Sequence, residues 1–277
     1  MTQAIPAHEK LVSRIAEFPS CLVAFSGGVD SAVVAKAAHL ALGDRATAIT
    51  GVSASLAAGE LEIAQRIAKF IGIRHETLAT NELKDPGYLE NATNRCWHCK
   101  TELYEQMESL ANRMGVAVLL NGANLDDQGD FRPGMQAARE HKVRSPLLEC
   151  GIDKRGVRQL AKHWKLEVWD KPATPCLSSR VVYGLEISPE RLARIDAAEQ
   201  ILRTLGLSNL RVRCHQDELA RLEVPVEAIP QLCENELRER LVKQLRDLGF
   251  QYVTLDLEGF RSGSFLPLVP TSELINK

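Results

Sequence analysis

At 277 residues, 45% of them hydrophobic, the chain has material for a buried core plus a smaller appended unit. Lys and Arg total 34 against 36 Asp and Glu, a net charge of −2 without any basic cluster, which argues against a nucleic-acid substrate. No apolar run reaches membrane-spanning length and the start, Met1 to Phe18, is unlike a signal peptide, so no membrane partner and a cytoplasmic location are expected, where seven cysteines make no disulfide framework.

In chain order, Cys21–Phe25 reads as a strand and Asp30–Leu42 as an alanine-rich helix, joined by Phe25-Ser26-Gly27-Gly28-Val29-Asp30-Ser31. A strand, a glycine turn and a helix start make a phosphate cradle. Gly27 and Gly28 allow close backbone approach, so successive N–H groups can converge on phosphate oxygens at the positive helix end, and Ser26 and Ser31 add hydroxyls. Asp30 would repel a bare phosphate, which implies Mg²⁺ between carboxylate and polyphosphate. No Walker lysine is present, which argues against γ-phosphoryl transfer. The S-G-G-x-D-S pattern resembles the PP-loop of ATP pyrophosphatases, which cut ATP between the α and β phosphates and adenylate a substrate.

Strands Ala46–Val52, Arg74–Leu78 and Val116–Leu120 alternate with helices Ala57–Ile71 and Lys100–Met114, and a fifth strand is expected near Leu166–Trp169 after the helical stretch Asp153–Trp164. Such alternation predicts an α/β fold with a doubly wound parallel sheet and a ligand at the carboxyl ends of its strands. Ser26, Asn121 to Asn124 and the segment after Trp169 should gather there, with Asn124 on the nucleotide. Beyond Gly184 the pattern changes. Ser188-Pro189-Glu190 opens an amphipathic helix, Leu210–His215 and Leu219–Val224 read as paired strands, Asn235–Leu248 as a helix and Tyr252–Leu257 as a strand. Two domains are expected, residues 1–185 and a smaller α+β unit, 186–277, with an antiparallel sheet.

Arg95-Cys96-Trp97-His98-Cys99-Lys100 contains a C-x-x-C, which suits a redox pair, half a zinc site or part of an iron–sulfur site. Cys176 lies in Lys171 to Arg180, expected to follow the last strand of the sheet, so both segments should form loops at one edge of the nucleotide site. Three thiolates there would leave one iron of a [4Fe–4S] cluster open to a sulfur ligand; two separate loops with ordinary thiols are the alternative. Cys21, Cys150, Cys214 and Cys233 read as structural. Arg211 and Arg213 project from one face of a strand and suit an oxyanion, against the alternative of a solvated face. Arg180 closes the Cys176 segment, Arg261 sits in a glycine loop, Asp126-Asp127 with Arg132-Pro133-Gly134 form a polar loop, and Trp97 offers a stacking surface or a core plug.

Taken together, the PP-loop, the C-x-x-C segment, Asp126-Asp127, Cys176-Leu177-Ser178-Ser179-Arg180, Arg211-Val212-Arg213 and Tyr252 to Gly263 resemble the LarE family of ATP-dependent sulfur transferases, which mature the nickel cofactor of lactate racemase. The resemblance implies adenylation of a carboxylate of pyridinium-3,5-dicarboxylate mononucleotide and replacement of an oxygen by sulfur. Some members give up the sulfur of a lone cysteine in the position of Cys176; others hold a [4Fe–4S] cluster on three cysteines. The C-x-x-C here favours the cluster type, with Cys96, Cys99 and Cys176 as ligands. The resemblance also implies that Trp97 and Ser179 line the substrate site, that Arg211 and Arg213 hold its phosphate with Glu199 and Glu223 nearby, and that the protein is a homohexamer. An ammonia-using PP-loop amidotransferase is the competing reading.

Overall fold

The computed structural model describes residues 6–129, 133–261 and 265. Its helices are α1 (Ala7–Ala16), α2 (Val29–Leu42), α3 (Glu60–Ile71), α4 (Pro86–Leu89), α5 (Arg95–Met114), α6 (Pro133–Glu140), α7 (Pro146–Glu149), α8 (Lys154–His163), α9 (Pro189–Thr204), α10 (Ile229–Cys233) and α11 (Asn235–Asp247). Its strands are β1 (Cys21–Ala24), β2 (Ala46–Val52), β3 (Arg74–Ala79), β4 (Val118–Leu120), β5 (Arg211–His215), β6 (Leu219–Glu223) and β7 (Tyr252–Leu255).

The chain divides into two compact units: residues 1–82 with 96–174, and residues 83–95 with 175–277. In the first, four parallel strands pair in the order β3-β2-β1-β4. Successive strand residues supply opposite faces. Cys21, Val23, Ala46 and Ala48 pack with α1, α2, α3 and α8 in one core, while Leu22, Ile49 and Leu119 pack with Tyr104, Met107 and Ala111 of α5 in the other. Covering on both faces is why β1 reads as an unbroken apolar run. The doubly wound parallel sheet is therefore as expected.

The fifth strand is not. Leu166 and Val168 are buried, but Glu167–Asp170 form a 3₁₀ turn. Lys165 takes φ +54°, and the Leu166 N–H bonds to the Ala161 carbonyl at 2.8 Å, so the end of α8 satisfies its backbone locally. The edge of β4 is bonded instead by Arg144, whose N–H meets Leu119 O at 2.9 Å and whose carbonyl accepts from Asn121 N at 3.0 Å. A two-residue apolar alternation cannot separate a strand from a 3₁₀ turn.

In the second unit, β5 pairs antiparallel with β6, as expected, but β7 joins β6 in parallel, so the sheet is mixed rather than antiparallel. Ser188 caps α9 as predicted, its hydroxyl accepting from Arg191 N at 3.2 Å. The division falls at 174/175 rather than at 185, and residues 83–95 join the second unit. Tyr88 Oη bonds Ser178 Oγ at 2.6 Å, and the Asn91 amide donates to Val182 O and Leu185 O at 2.8 and 2.9 Å, contacts that no local pattern announces.

Candidate active site

The chain turns from β1 into α2 through Phe25-Ser26-Gly27-Gly28, with Gly27 at φ +68° and Gly28 at the N-cap. A Cβ on Gly27 would lie 3.0 Å from Ala64 Cα on α3, so both conformation and space require glycine there. Ser31 Oγ accepts from Ser26 N at 3.2 Å and donates to Gly28 O at 3.1 Å, and Ser26 Oγ accepts from Gly28 N at 3.3 Å. The two hydroxyls thus fold the turn into a cradle. The loop after β4 closes on it: a Cβ on Gly122 would meet Ser31 N at 2.9 Å.

Asp30 stands between two partners on that rim. Asn124 Nδ2 donates to Oδ1 at 3.1 Å, and Lys154 Nζ lies 2.5 Å from Oδ2. Asn124 is itself fixed, its N–H on Asp127 Oδ2 at 2.9 Å and its side-chain carbonyl accepting from Asp126 N at 3.0 Å. Asp126 in turn accepts the Lys154 N–H at 3.0 Å, so this acidic pair ties the loop to the start of α8. Arg132 lies outside the described residues; Gly134, the second residue of α6, lies against Lys100 of α5. At the end of β2, Ser53 and Ser55 both donate to the buried Glu82 Oε1, the latter at 3.0 Å.

The C-x-x-C occupies the first turns of the 20-residue helix α5, not a loop. Spacing of i, i+3 sets both cysteines on one helix face. Trp97 packs on the α5 side of the sheet and donates Nε1–H to Glu140 Oε2 at 2.7 Å. Cys176 belongs to the second unit, at the N-cap of the 3₁₀ turn Leu177–Arg180, and it does not follow a sheet strand. Its carbonyl accepts from Ser179 N, Ser179 Oγ and Arg180 Nη1 at 3.0, 2.8 and 2.9 Å. Within neither unit, among the described residues, do three His, Cys, Asp or Glu side chains gather as a metal site. No cysteine is in a disulfide; Cys21, Cys150 and Cys214 are buried and Cys233 exposed.

The second unit also brings together six of the residues expected around a substrate, Ser179, Arg180, Glu199, Arg211, Arg213 and Glu223. Arg180 and Glu199 are fully buried and paired, Nε to Oε1 at 3.0 Å and Nη2 to Oε2 at 3.3 Å. Arg213 meets the fully buried Glu223 at 3.0 Å and donates to Ser179 O at 2.9 Å. Arg211 donates to Leu210 O at 2.6 Å and lies 5.1 Å from the Phe260 ring. Arg211 and Arg213 are thus buried, not a solvated face. Burial, then the charge of Arg180, pushes the Arg211 guanidinium down to about 10. Burial alone would raise the Glu199 carboxyl, but Arg180 and Arg203 hold it below its usual range. Arg261 is exposed and reaches Asp256 and Glu258.

Comparison with known proteins fits this geometry. The family described as "Queuosine biosynthesis protein QueC" matches residues 20–112, which include the cradle and the C-x-x-C. Over 254 residues the chain is 37% identical to the pyridinium-3,5-bisthiocarboxylic acid mononucleotide synthase of Lactiplantibacillus plantarum, covering 91% of both proteins. The chain belongs to the LarE family. An uncharacterized Synechocystis protein is 49% identical over 92% of this chain and 95% of its own length, and one from Methanocaldococcus jannaschii is 29% identical over 69% and 74%.

For a LarE protein, the residues that sequence reasoning passes over are those acting through others. Lys154 shows only as a lysine opening a helix. Arg203 and Arg221 carry salt bridges to Glu199 and Glu223, both at 2.9 Å, which only the paired burial of those glutamates reveals. Glu82 carried no recognisable motif. Among the described residues no helix is long and apolar enough to cross a membrane.

Proposed function

We propose that this chain uses ATP to activate a carboxylate of a pyridinium-3,5-dicarboxylate mononucleotide and exchanges one of its oxygens for sulfur. The identity to a named synthase of the bisthiocarboxylic mononucleotide over 91% of the chain carries the reading. A carboxylate resists nucleophiles because it is anionic and its leaving group is poor. As an acyl-adenylate it can be attacked by a sulfur nucleophile, which forms the C–S bond while AMP departs with the electron pair of the broken C–O bond.

Ser26, Gly27, Gly28 and Ser31 bind the ATP phosphates. Asp30 fits a Mg²⁺ ligand in kind: it is a hard oxygen donor already facing the cationic Lys154. When bound, the metal would neutralise the polyphosphate. In the second unit Arg211 and Arg213 hold the substrate phosphate, Ser179 lines that site, and Arg180, Glu199 and Glu223, buried and paired, orient the two arginines. Arg261 and Trp97 complete the substrate contacts, and Asn124 positions Asp30. Cys96, Cys99 and Cys176 fit a [4Fe–4S] cluster by donor chemistry, two of them one helical turn apart. Such a cluster would supply a site for an exogenous sulfide. The protein is proposed to work in the cytoplasm as a homohexamer, the oligomer following the family resemblance.

The test incubates protein, ATP, Mg²⁺ and the mononucleotide and separates the nucleotides. AMP with pyrophosphate is expected, and Asp30→Ala should abolish both; ADP as sole product sinks the reading. Mass spectrometry of the anaerobically reconstituted protein after one turnover separates the two sulfur routes. Loss of the elements of hydrogen sulfide from Cys176 would replace the cluster route with single-cysteine donation.

A further inference from the structure

The Ser26–Ser31 loop contains no lysine, yet an ammonium reaches it from elsewhere in the chain. Lys154 Nζ lies 2.5 Å from Asp30 Oδ2 across 124 residues of sequence, on the side of the carboxylate opposite to Asn124. Its backbone is anchored: Asp126 Oδ2 accepts the Lys154 N–H at 3.0 Å, and Asp153 caps α8 by accepting from Gly156 N at 2.7 Å. The side chains of Lys154 and Asp30 are 38% and 26% exposed, so their pairing contributes little to stability and is easily broken. A fixed Cα with a four-carbon flexible stem is a cation that can change partners without moving the fold.

We propose that Lys154 is an exchangeable counter-ion: it neutralises Asp30 in the nucleotide-free protein and moves to the polyphosphate when a divalent cation takes its place. This rests on the reading that ATP is cut at the Ser26–Ser31 loop. In adenylation a substrate carboxylate oxygen bonds to the α-phosphorus and the bond from that phosphorus to the bridging oxygen breaks. The electron pair leaves on pyrophosphate. Negative charge therefore grows on the departing group, and an ammonium donating there is favoured more in the transition state than before it. Lys154 supplies from α8 the positive charge that a Walker lysine would supply from the loop itself.

The two roles have opposite consequences, and that makes them separable from a structural one. Lys154→Met should bind Mn²⁺ more tightly than wild type without nucleotide, by about tenfold, because Asp30 is no longer neutralised. The same variant should bind inorganic pyrophosphate about tenfold more weakly. Mn²⁺ is followed by electron paramagnetic resonance without nucleotide and pyrophosphate by calorimetry in saturating Mg²⁺, with circular dichroism and melting as controls. Lys154→Arg should keep the pyrophosphate affinity, and Lys154→Gln replaces the methionine variant if that one melts early. Unchanged pyrophosphate affinity in Lys154→Met, or Mn²⁺ and pyrophosphate weakened together, overturns the proposal. Asp30→Ala is measured in parallel. If it leaves ATP cleavage intact while Lys154→Met still loses pyrophosphate, the metal role of Asp30 fails and the pyrophosphate contact of Lys154 stands.

Discussion

Replacing Arg180 by methionine should remove much of the stability of the second unit. The side chain is fully buried, and its guanidinium meets the equally buried Glu199 through two nitrogens, at 3.0 and 3.3 Å, while Nη1 also holds Cys176 O at 2.9 Å. Methionine fills most of the volume but leaves Glu199 with Arg203 Nη2 at 2.9 Å and Val212 N at 3.2 Å. Breaking one side of a buried ion pair costs about 3–5 kcal/mol, against a typical total of about 5–15 kcal/mol. Hydrogen exchange across β5 and residues 175–180, with urea unfolding by circular dichroism, measures the loss. The double variant Arg180→Met, Glu199→Met should recover most of it, since a buried pair and an apolar pair of similar volume are nearly equivalent. The pH dependence has a definite sign. A carboxyl whose folded pKa is lowered contributes stability above its unfolded value of about 4.3, lost as pH falls through the folded value. The wild type therefore keeps the Glu199 contribution further into acid than Arg180→Met, which loses the strongest influence opposing burial at that carboxyl and keeps only the charges of Arg203 and Arg211. A single variant within about 1 kcal/mol of wild type, or a double variant worse than the sum of the singles, refutes this account of the pair.

Three further outcomes are expected. Arg213→Ala should weaken mononucleotide binding by about tenfold or more while ATP affinity holds, by calorimetry; an equal fall in both assigns the arginine to folding or assembly. Gly27→Ala, forced to φ +68° with its Cβ 3.0 Å from Ala64 Cα, should cost at least about 1–2 kcal/mol and lose ATP affinity, and an unchanged melting temperature counts against the cradle geometry. Thiol labelling at mildly alkaline pH should modify the exposed Cys96 and Cys233 first and leave Cys21 and Cys214 untouched until unfolding, because burial pushes each of the latter thiols up to about 12. Early labelling of Cys21 would mean that β1 opens locally.

The parallel sheet was legible because its strands leave a continuous apolar trace and its helices a periodic one, as at Ala64, Ile67, Ala68 and Ile71 of α3. The cradle was legible because its chemistry sits in one short run. What escaped was whatever depends on partners far along the chain. The segment Leu166–Trp169 has strand-like alternation, yet β4 takes Arg144 as its edge partner, and no local pattern records that competition. The C-x-x-C looked like a loop because cysteine and tryptophan are weak helix formers. The twenty residues of α5 run through it because its later turns bury Tyr104, Met107 and Ala111 in a common core. Period-two spacing placed Arg211 and Arg213 on one face, but only paired glutamates explain why that face is buried.

That burial bears on why the second unit is built as it is. Arg180, Arg203, Arg211, Arg213 and Arg221 converge around Glu199 and Glu223, with Asp256 also on Arg221, so among the described residues the guanidiniums of this set outnumber its carboxylates. A base whose folded pKa is lowered works against folding at every pH below that value, and Arg211 is pushed down to about 10, first by burial and then by Arg180. At neutral pH the charged Arg211 is therefore a cost to the empty protein. A core selected for stability alone would replace such a group with a hydrocarbon of similar size. Most of its desolvation precedes any ligand, and an anion set against Arg211 and Arg213 would add negative charge there without first stripping that water from the protein side. Preorganised, dehydrated guanidiniums bind a phosphate more tightly than solvated ones for this reason. The electrostatic penalty carried by β5 is what the phosphate-binding role proposed for its two arginines would require.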